Sequence, residues 1–128
     1  MELDWGSPRK SKGGQVMSAT FYPAKQESEK AWTFVEVPYE VNLSNSNAHL
    51  VLNELGLDPN FEYASTKEQD IGDFIERCHV YARGGSPDGA SHISMSRDEE
   101  MYVLHRVAML LVSATLGEQN GATHWYFA

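Results

Sequence analysis

A chain of 128 residues with 41% hydrophobic and 22% charged side chains has the size and composition of one globular domain, which argues against wholesale disorder. Ten Lys and Arg against 18 Asp and Glu leave a net charge of −8. Nucleic acid is therefore not an expected partner, because phosphate binding needs clustered basic side chains. The lone cysteine, Cys78, excludes an internal disulfide and fits a reducing compartment, and MELDWGSPRK has no apolar leader, so a cytoplasmic protein is expected.

Residues 1–14 contain SPRKSKGG, with no hydrophobic period, and are expected to form a flexible tail ahead of a single domain over 15–128. The alternation in QVMSATFY predicts a strand over 15–22, closed by Pro23. A second strand is predicted over 31–41, with Thr33, Val35, Val37, Tyr39 and Val41 on the core face and Trp32, Phe34, Glu36, Pro38 and Glu40 on the other. Pro38 has no amide hydrogen for a ladder bond and places this strand at an edge or bulges it there. Together the two read as a hairpin.

A helix follows, capped by Ser44 or Asn45, with Ala48, Val51, Leu52 and Leu55 on one stripe and Gly56 just past its end. Ser65 and Glu68 have the spacing of a capping box, predicting a second helix with Ile71, Phe74, Ile75, Cys78 and Tyr81 on its apolar face, ending at Gly84-Gly85. Ser96 and Glu99 repeat that spacing ahead of the longest apolar run, 101–116, interrupted only by His105, Arg106, Ser113 and Thr115. A strand over 123–128, with Trp125 and Phe127 on one face, closes the chain. The order β-β-α-α-α-β predicts an α+β fold, a small antiparallel sheet packed against a long apolar helix.

The run over 101–116 is too short and too interrupted to span a membrane. Its polar side is narrow, centred on Glu99, Arg106 and Ser113, so the helix must be covered around most of its circumference. A homodimer is predicted, with Leu104, Met109 and Leu110 at the interface. A glutamate at Met109 or Leu110 is then expected to be disruptive, and one at Ser113 milder.

Chemistry is sparse. The five histidines form no HxH or HExxH spacing and there is no CxxC, so neither a metal nor a cofactor is expected. Adjacent helical positions diverge by about 100°, so Cys78 and His79 do not pair, and Cys78 on the apolar stripe reads as inert. No catalytic set is assigned. The loop with Ser91 and His92 keeps open a small hydrolase or transferase. Asn45 and Asn47, with Asn42, either cap a helix and bond its backbone or form a polar binding patch. Trp32, Phe34, Trp125 and Tyr126 either anchor a partner or fill the core. The candidate binding residues are thus Trp32, Phe34, Asn45, Asn47, Ser91 and His92. The favoured reading is a non-catalytic protein-binding chain, with a structural subunit of an assembly as a further alternative.

The segment Asn42-Leu43-Ser44-Asn45-Ser46-Asn47-Ala48, followed by Leu55-Gly56-Leu57 and, after a long helix, by Gly121 to Trp125, resembles a set of small uncharacterised bacterial and phage proteins. These share an Asn-rich helix start followed by LGL and close on a long helix and a Trp-containing strand. The resemblance implies an accessory protein of phage or prophage type and no mechanism.

Overall fold

A computed structural model describes residues 18–58, 68–91 and 93–127. The predicted tail, Ser65 and His92 lie outside them. The fold is α+β, with a small antiparallel sheet and three helices. Strand β1, Ser18–Ser28, is central: on one edge it pairs with β2, Ala31–Phe34, and with β3, Val41–Ser44. On its other edge lies β5, His124–Phe127, followed by the short β4, Glu68–Asp70.

The strand predicted over 31–41 is therefore two strands. Phe34 lies opposite Ala24 and Val41 opposite Phe21. Only Tyr22 and Pro23 separate these pairings on β1, whereas 35–40 separates them on the partner, so this segment, with Pro38 in it, bulges out of the ladder. Tyr39 bridges the bulge to the helical layer by donating its hydroxyl to the Met109 carbonyl at 2.8 Å. Thr33, expected in the core, is exposed, because β2 extends past the helices rather than under them.

Helix α1, Asn45–Glu54, is capped by Ser44, whose hydroxyl accepts from the Asn47 amide, and buries Ala48, Leu50, Val51 and Leu52. Gly56 follows its end at φ +76°, the left-handed conformation that glycine adopts without a Cβ penalty. A Cβ there would lie 2.0 Å from the Asp88 carbonyl oxygen, so the same glycine lets the loop after α2 cross the end of α1. Helix α2, Ile71–Ala82, buries Ile71, Phe74 and Cys78, as its periodicity predicts. Its cap is Asp70, accepting from the Asp73 amide at 3.0 Å, not the expected Ser65 box, because Glu68 is committed to β4.

Helix α3, Arg97–Gln119, begins with the Ser96–Glu99 capping box in both directions. Its rotation is the opposite of the expected one. Arg106 and Ser113, read as the polar side, are 3% and 1% exposed, while Met101, Leu104 and Val112 are 55%, 40% and 49% exposed. Size, not polarity, sets this rotation. Where α3 closes on β1, a Cβ on Gly117 would lie 2.4 Å from the Pro23 Cβ, so only the face carrying Ser113, Ala114 and Gly117 fits against the sheet. Arg106 is accommodated by placing its guanidinium 4.3 Å from the Tyr102 ring centroid, an attraction between the cation and the ring face. Leu110, predicted for an interface, is fully buried in the core with Val103, Val107 and Trp125, and so is out of reach of any partner.

Candidate functional site

Alternation along β1 places Phe21 on the face that meets the helices and Tyr22 on the outward face. Residues directly opposite across a ladder share a face. Tyr22 lies opposite Tyr126, Ala24 opposite both Phe34 and His124, and Gln26 opposite Trp32. The register thus gathers Tyr22, Trp32, Phe34, His124 and Tyr126 on one outward surface.

The rings are in contact. Tyr22 meets Phe34 edge-on at 4.5 Å between centroids and stacks on Tyr126 at 5.4 Å. Trp32 meets His124 edge-on at 5.0 Å. The hydrophobic core includes none of the five, and Phe34 remains 65% exposed. Burial and the nearby Tyr126 phenol push the Tyr22 hydroxyl above its usual range, so it stays a neutral hydrogen-bonding group at physiological pH. At one end of the surface, the Asn42 amide donates to Thr20 Oγ1 at 2.8 Å and to Ser18 Oγ at 3.2 Å. At the other, Thr123 Oγ1 lies 2.9 Å from His124 Nδ1.

A groove of about 420 Å³ opens beside Phe34 under the 35–40 bulge, floored by Tyr22, Val35 and Tyr39, with the exposed Glu36 and Glu40 along its border. An apolar floor with carboxylates at its border suits a partner that presents apolar and basic side chains together.

Of the sequence-predicted binding residues that the structure describes, Trp32 and Phe34 lie on this surface; His92 lies outside the described residues. Asn45 and Asn47 belong to the first turn of α1, and Asn47 is fully buried, which gives it a structural place. Ser91 lies beyond the opposite end of α1, where its carbonyl accepts from the Asn53 amide at 2.9 Å. Tyr126, read from the sequence as either an anchor or a core ring, joins Trp32 and Phe34, and Tyr22 and His124 are additions that the sequence reading does not contain. Their signal is the strand register, which brings together residues a hundred positions apart.

Among the described residues, no group of three His, Cys, Asp or Glu side chains is placed to hold a metal ion, and no helix is long and apolar enough to cross a membrane. No protein-family model, curated protein or solved structure matches the chain.

Cys78 is fully buried, and loss of solvation pushes its thiol up to about 12. The thiolate that would act as a nucleophile is thus suppressed near neutral pH. This shift has a stability signature. The folded-state pKa is above the unfolded value near 9, so the thiol's contribution is complete below pH 9 and is lost as pH rises toward 12. The slope is about 1.4 kcal/mol per pH unit. Urea midpoints at pH 8, 9 and 10 are expected to fall more steeply for the wild type than for Cys78→Ala. Equal slopes would place the thiol in solvent. Tyr22, Tyr39 and Tyr81, all raised chiefly by burial, add loss of the same sign at higher pH.

Proposed function

We propose that this chain is a non-catalytic accessory protein that acts by binding another protein through the outward face of its sheet. The observation that carries this reading is the five aromatic rings on that face, a trio of Phe34, Tyr22 and Tyr126 beside a pair of Trp32 and His124, with Phe34 at 65% exposure. Rigid aromatic side chains contribute large contact area at small entropic cost and dominate interface energetics. The net charge of −8, with Glu36 and Glu40 beside the groove, favours a partner whose contacting surface is basic. The phage or prophage setting rests on the resemblance of the Asn42–Ala48 and Leu55–Leu57 segments. A cytoplasmic setting fits the buried, lone thiol.

The test is affinity capture with wild type and with a Trp32→Ala/Phe34→Ala double variant. Both side chains lie outside the core, so the variant is expected to fold, losing about 1–2 kcal/mol of ring contacts. A captured partner should bind the variant at least roughly 30-fold more weakly, as for loss of an aromatic hot spot. Equal capture by both proteins, or by neither, overturns the reading.

A second reading, a homodimer, is favoured by a different surface. Met101, Leu104 and Val112 are large apolar side chains exposed on one stripe of α3, and Phe34 is the other exposed large hydrophobic residue among those described. Of the predicted interface residues, Leu104 lies on this stripe, while Met109 is half-buried with its carbonyl held by Tyr39.

A further inference from the structure

Helix α1 ends at Glu54, α2 ends at Ala82, and the loop after α2 returns through 86–96 to the start of α3, so three helix termini border one space on the helical side of the molecule. Two grooves meet there. The larger, of about 590 Å³, has an apolar wall of Ile93, Met95, Met101 and Leu104 and a polar side of Glu54, Tyr81 and Glu100. The smaller, of about 240 Å³, reaches Ser86 and Ser91 and shares Glu54 and Tyr81 with the larger, so the two form one cleft that turns at these residues. The larger groove alone is in the range of about 300–1,000 Å³ usual for small-molecule sites. We propose that this cleft binds a small organic ammonium ion that carries an apolar chain, an alkylamine in chemical class. The inference is independent of the protein-binding reading, which rests on the outward face of the sheet.

Charge sets the sign of the occupant. Among the described residues that line the cleft, Glu54 and Glu100 are carboxylates and none is Lys or Arg. Burial first, and then both carboxylates, push the Tyr81 hydroxyl above its usual range, so the two glutamates act on one point in the cleft. The negative ends of the α1 and α2 dipoles lie at its border, and the positive end of α3 is countered by Asp98, Glu99 and Glu100 in its first turn. The neighbouring cations are engaged elsewhere. Arg77 binds Asp73 at 2.8 Å and the carbonyls of Leu55 and Asp88, and Arg83 lies 3.7 Å from Glu76. Arg97 is exposed and outside the lining. A cation entering the cleft thus meets negative potential that no basic side chain of the lining answers.

The lining selects an organic cation over a metal ion. A hard divalent ion takes about six oxygen ligands, whereas this cleft sets two carboxylates and one phenol beside an apolar wall. An ammonium group has three donors and no acceptor, which matches those three oxygen-bearing groups in number, because the protonated phenol still accepts through its lone pairs. The chain attached to the ammonium covers the wall formed by Met101 and Leu104, which are 55% and 40% exposed without it. A carboxylate on the same chain would be repelled by Glu54 and Glu100, and an alcohol would gain the wall contact alone.

The test uses three probes with the same six-carbon chain, hexylamine, hexanol and hexanoate, titrated at neutral pH into the full chain while the amide signals of Gly84, Gly85 and Leu104 are followed by NMR. Hexylamine is expected to shift these signals saturably with a dissociation constant on the order of millimolar, as for a ligand of few atoms. Hexanol and hexanoate should bind at least roughly 10-fold more weakly. Raising sodium chloride from about 0.05 to about 0.5 M should weaken the amine and leave the alcohol unchanged. Glu54→Gln and the exposed Glu100→Gln should each weaken hexylamine by roughly 3-fold or more, whereas Glu36→Gln, beside the other groove, should not. Glu100→Gln keeps the test open if the half-buried Glu54 proves necessary for folding. The absence of a saturable shift, hexanol binding as well as hexylamine, both cleft variants binding like wild type, or Glu36→Gln weakening the amine as much as they do overturns the proposal. None of these results bears on capture through Trp32 and Phe34.

Discussion

Trp125→Ala is expected to destabilise the fold by about 3–5 kcal/mol, with a thermal midpoint lower by roughly 12–20 °C. Trp125 is fully buried at the centre of β5, which pairs with β1 on one side and β4 on the other. Its ring stacks on Phe74 of α2 at 4.8 Å between centroids with the planes 17° apart. Removing it leaves a cavity between sheet and helix at the point where β1, β4 and α2 depend on one another. Trp125→Phe separates packing from polarity. The indole Nε1 is buried without a hydrogen-bond partner among the described residues, so phenylalanine loses no bond there and keeps a stackable ring. It should cost well under half as much as alanine, about 1–2 kcal/mol. Urea unfolding of the three proteins measures this. An alanine variant within 1 kcal/mol of wild type would mean that Trp125 does not join the sheet to α2.

Local chemistry was legible wherever a few neighbouring residues decide the outcome. The Ser96–Glu99 box, the stop at Gly56, and the buried stripes of α1 and α2 each follow from contacts within one or two turns. The α+β class followed from the same signals. The Ser65–Glu68 spacing shows the limit, since Glu68 has the right offset and yet lies in β4. A two-residue signature is outweighed by one edge of ladder hydrogen bonds. The break of the 31–41 strand was legible only at Pro38, because the two pairings of β1 that flank it are tertiary facts.

The aromatic surface was half legible for the same reason. Trp32 and Phe34 stand out in the sequence as large rings on the non-core side of a predicted strand. Tyr126 stands out too, on the closing strand, but its place beside them, like that of Tyr22 and His124, follows from the β1–β5 register, and register depends on which face is buried. The rotation of α3 was misread because polarity patterns rank side chains by transfer cost, whereas the β1 contact selects by volume.

The neighbouring pair Val112 and Ser113 tests that rotation directly. The polarity pattern expects glutamate at Ser113 to be tolerated, and the structure predicts the reverse. Ser113 is 1% exposed, and its hydroxyl has no hydrogen-bond partner among the described residues, so a carboxylate there would leave water without a bond already in place to receive it. Burying an unpaired charge of that size is expected to cost several kcal/mol, of the order of 3–5, enough to unfold a domain of ordinary stability at neutral pH. Desolvation would raise the pKa of such a carboxyl in the folded state. The protonated variant is then the better tolerated form, and its stability should be greatest near pH 4 and fall as pH rises. Val112→Glu, one residue away at a 49% exposed position, should leave the thermal midpoint within a few degrees of wild type while weakening self-association. Thermal melts of both variants at pH 4.5 and pH 7.5 distinguish the two rotations. A folded Ser113→Glu beside an unfolded Val112→Glu would turn α3 back to the orientation that its polarity pattern suggests.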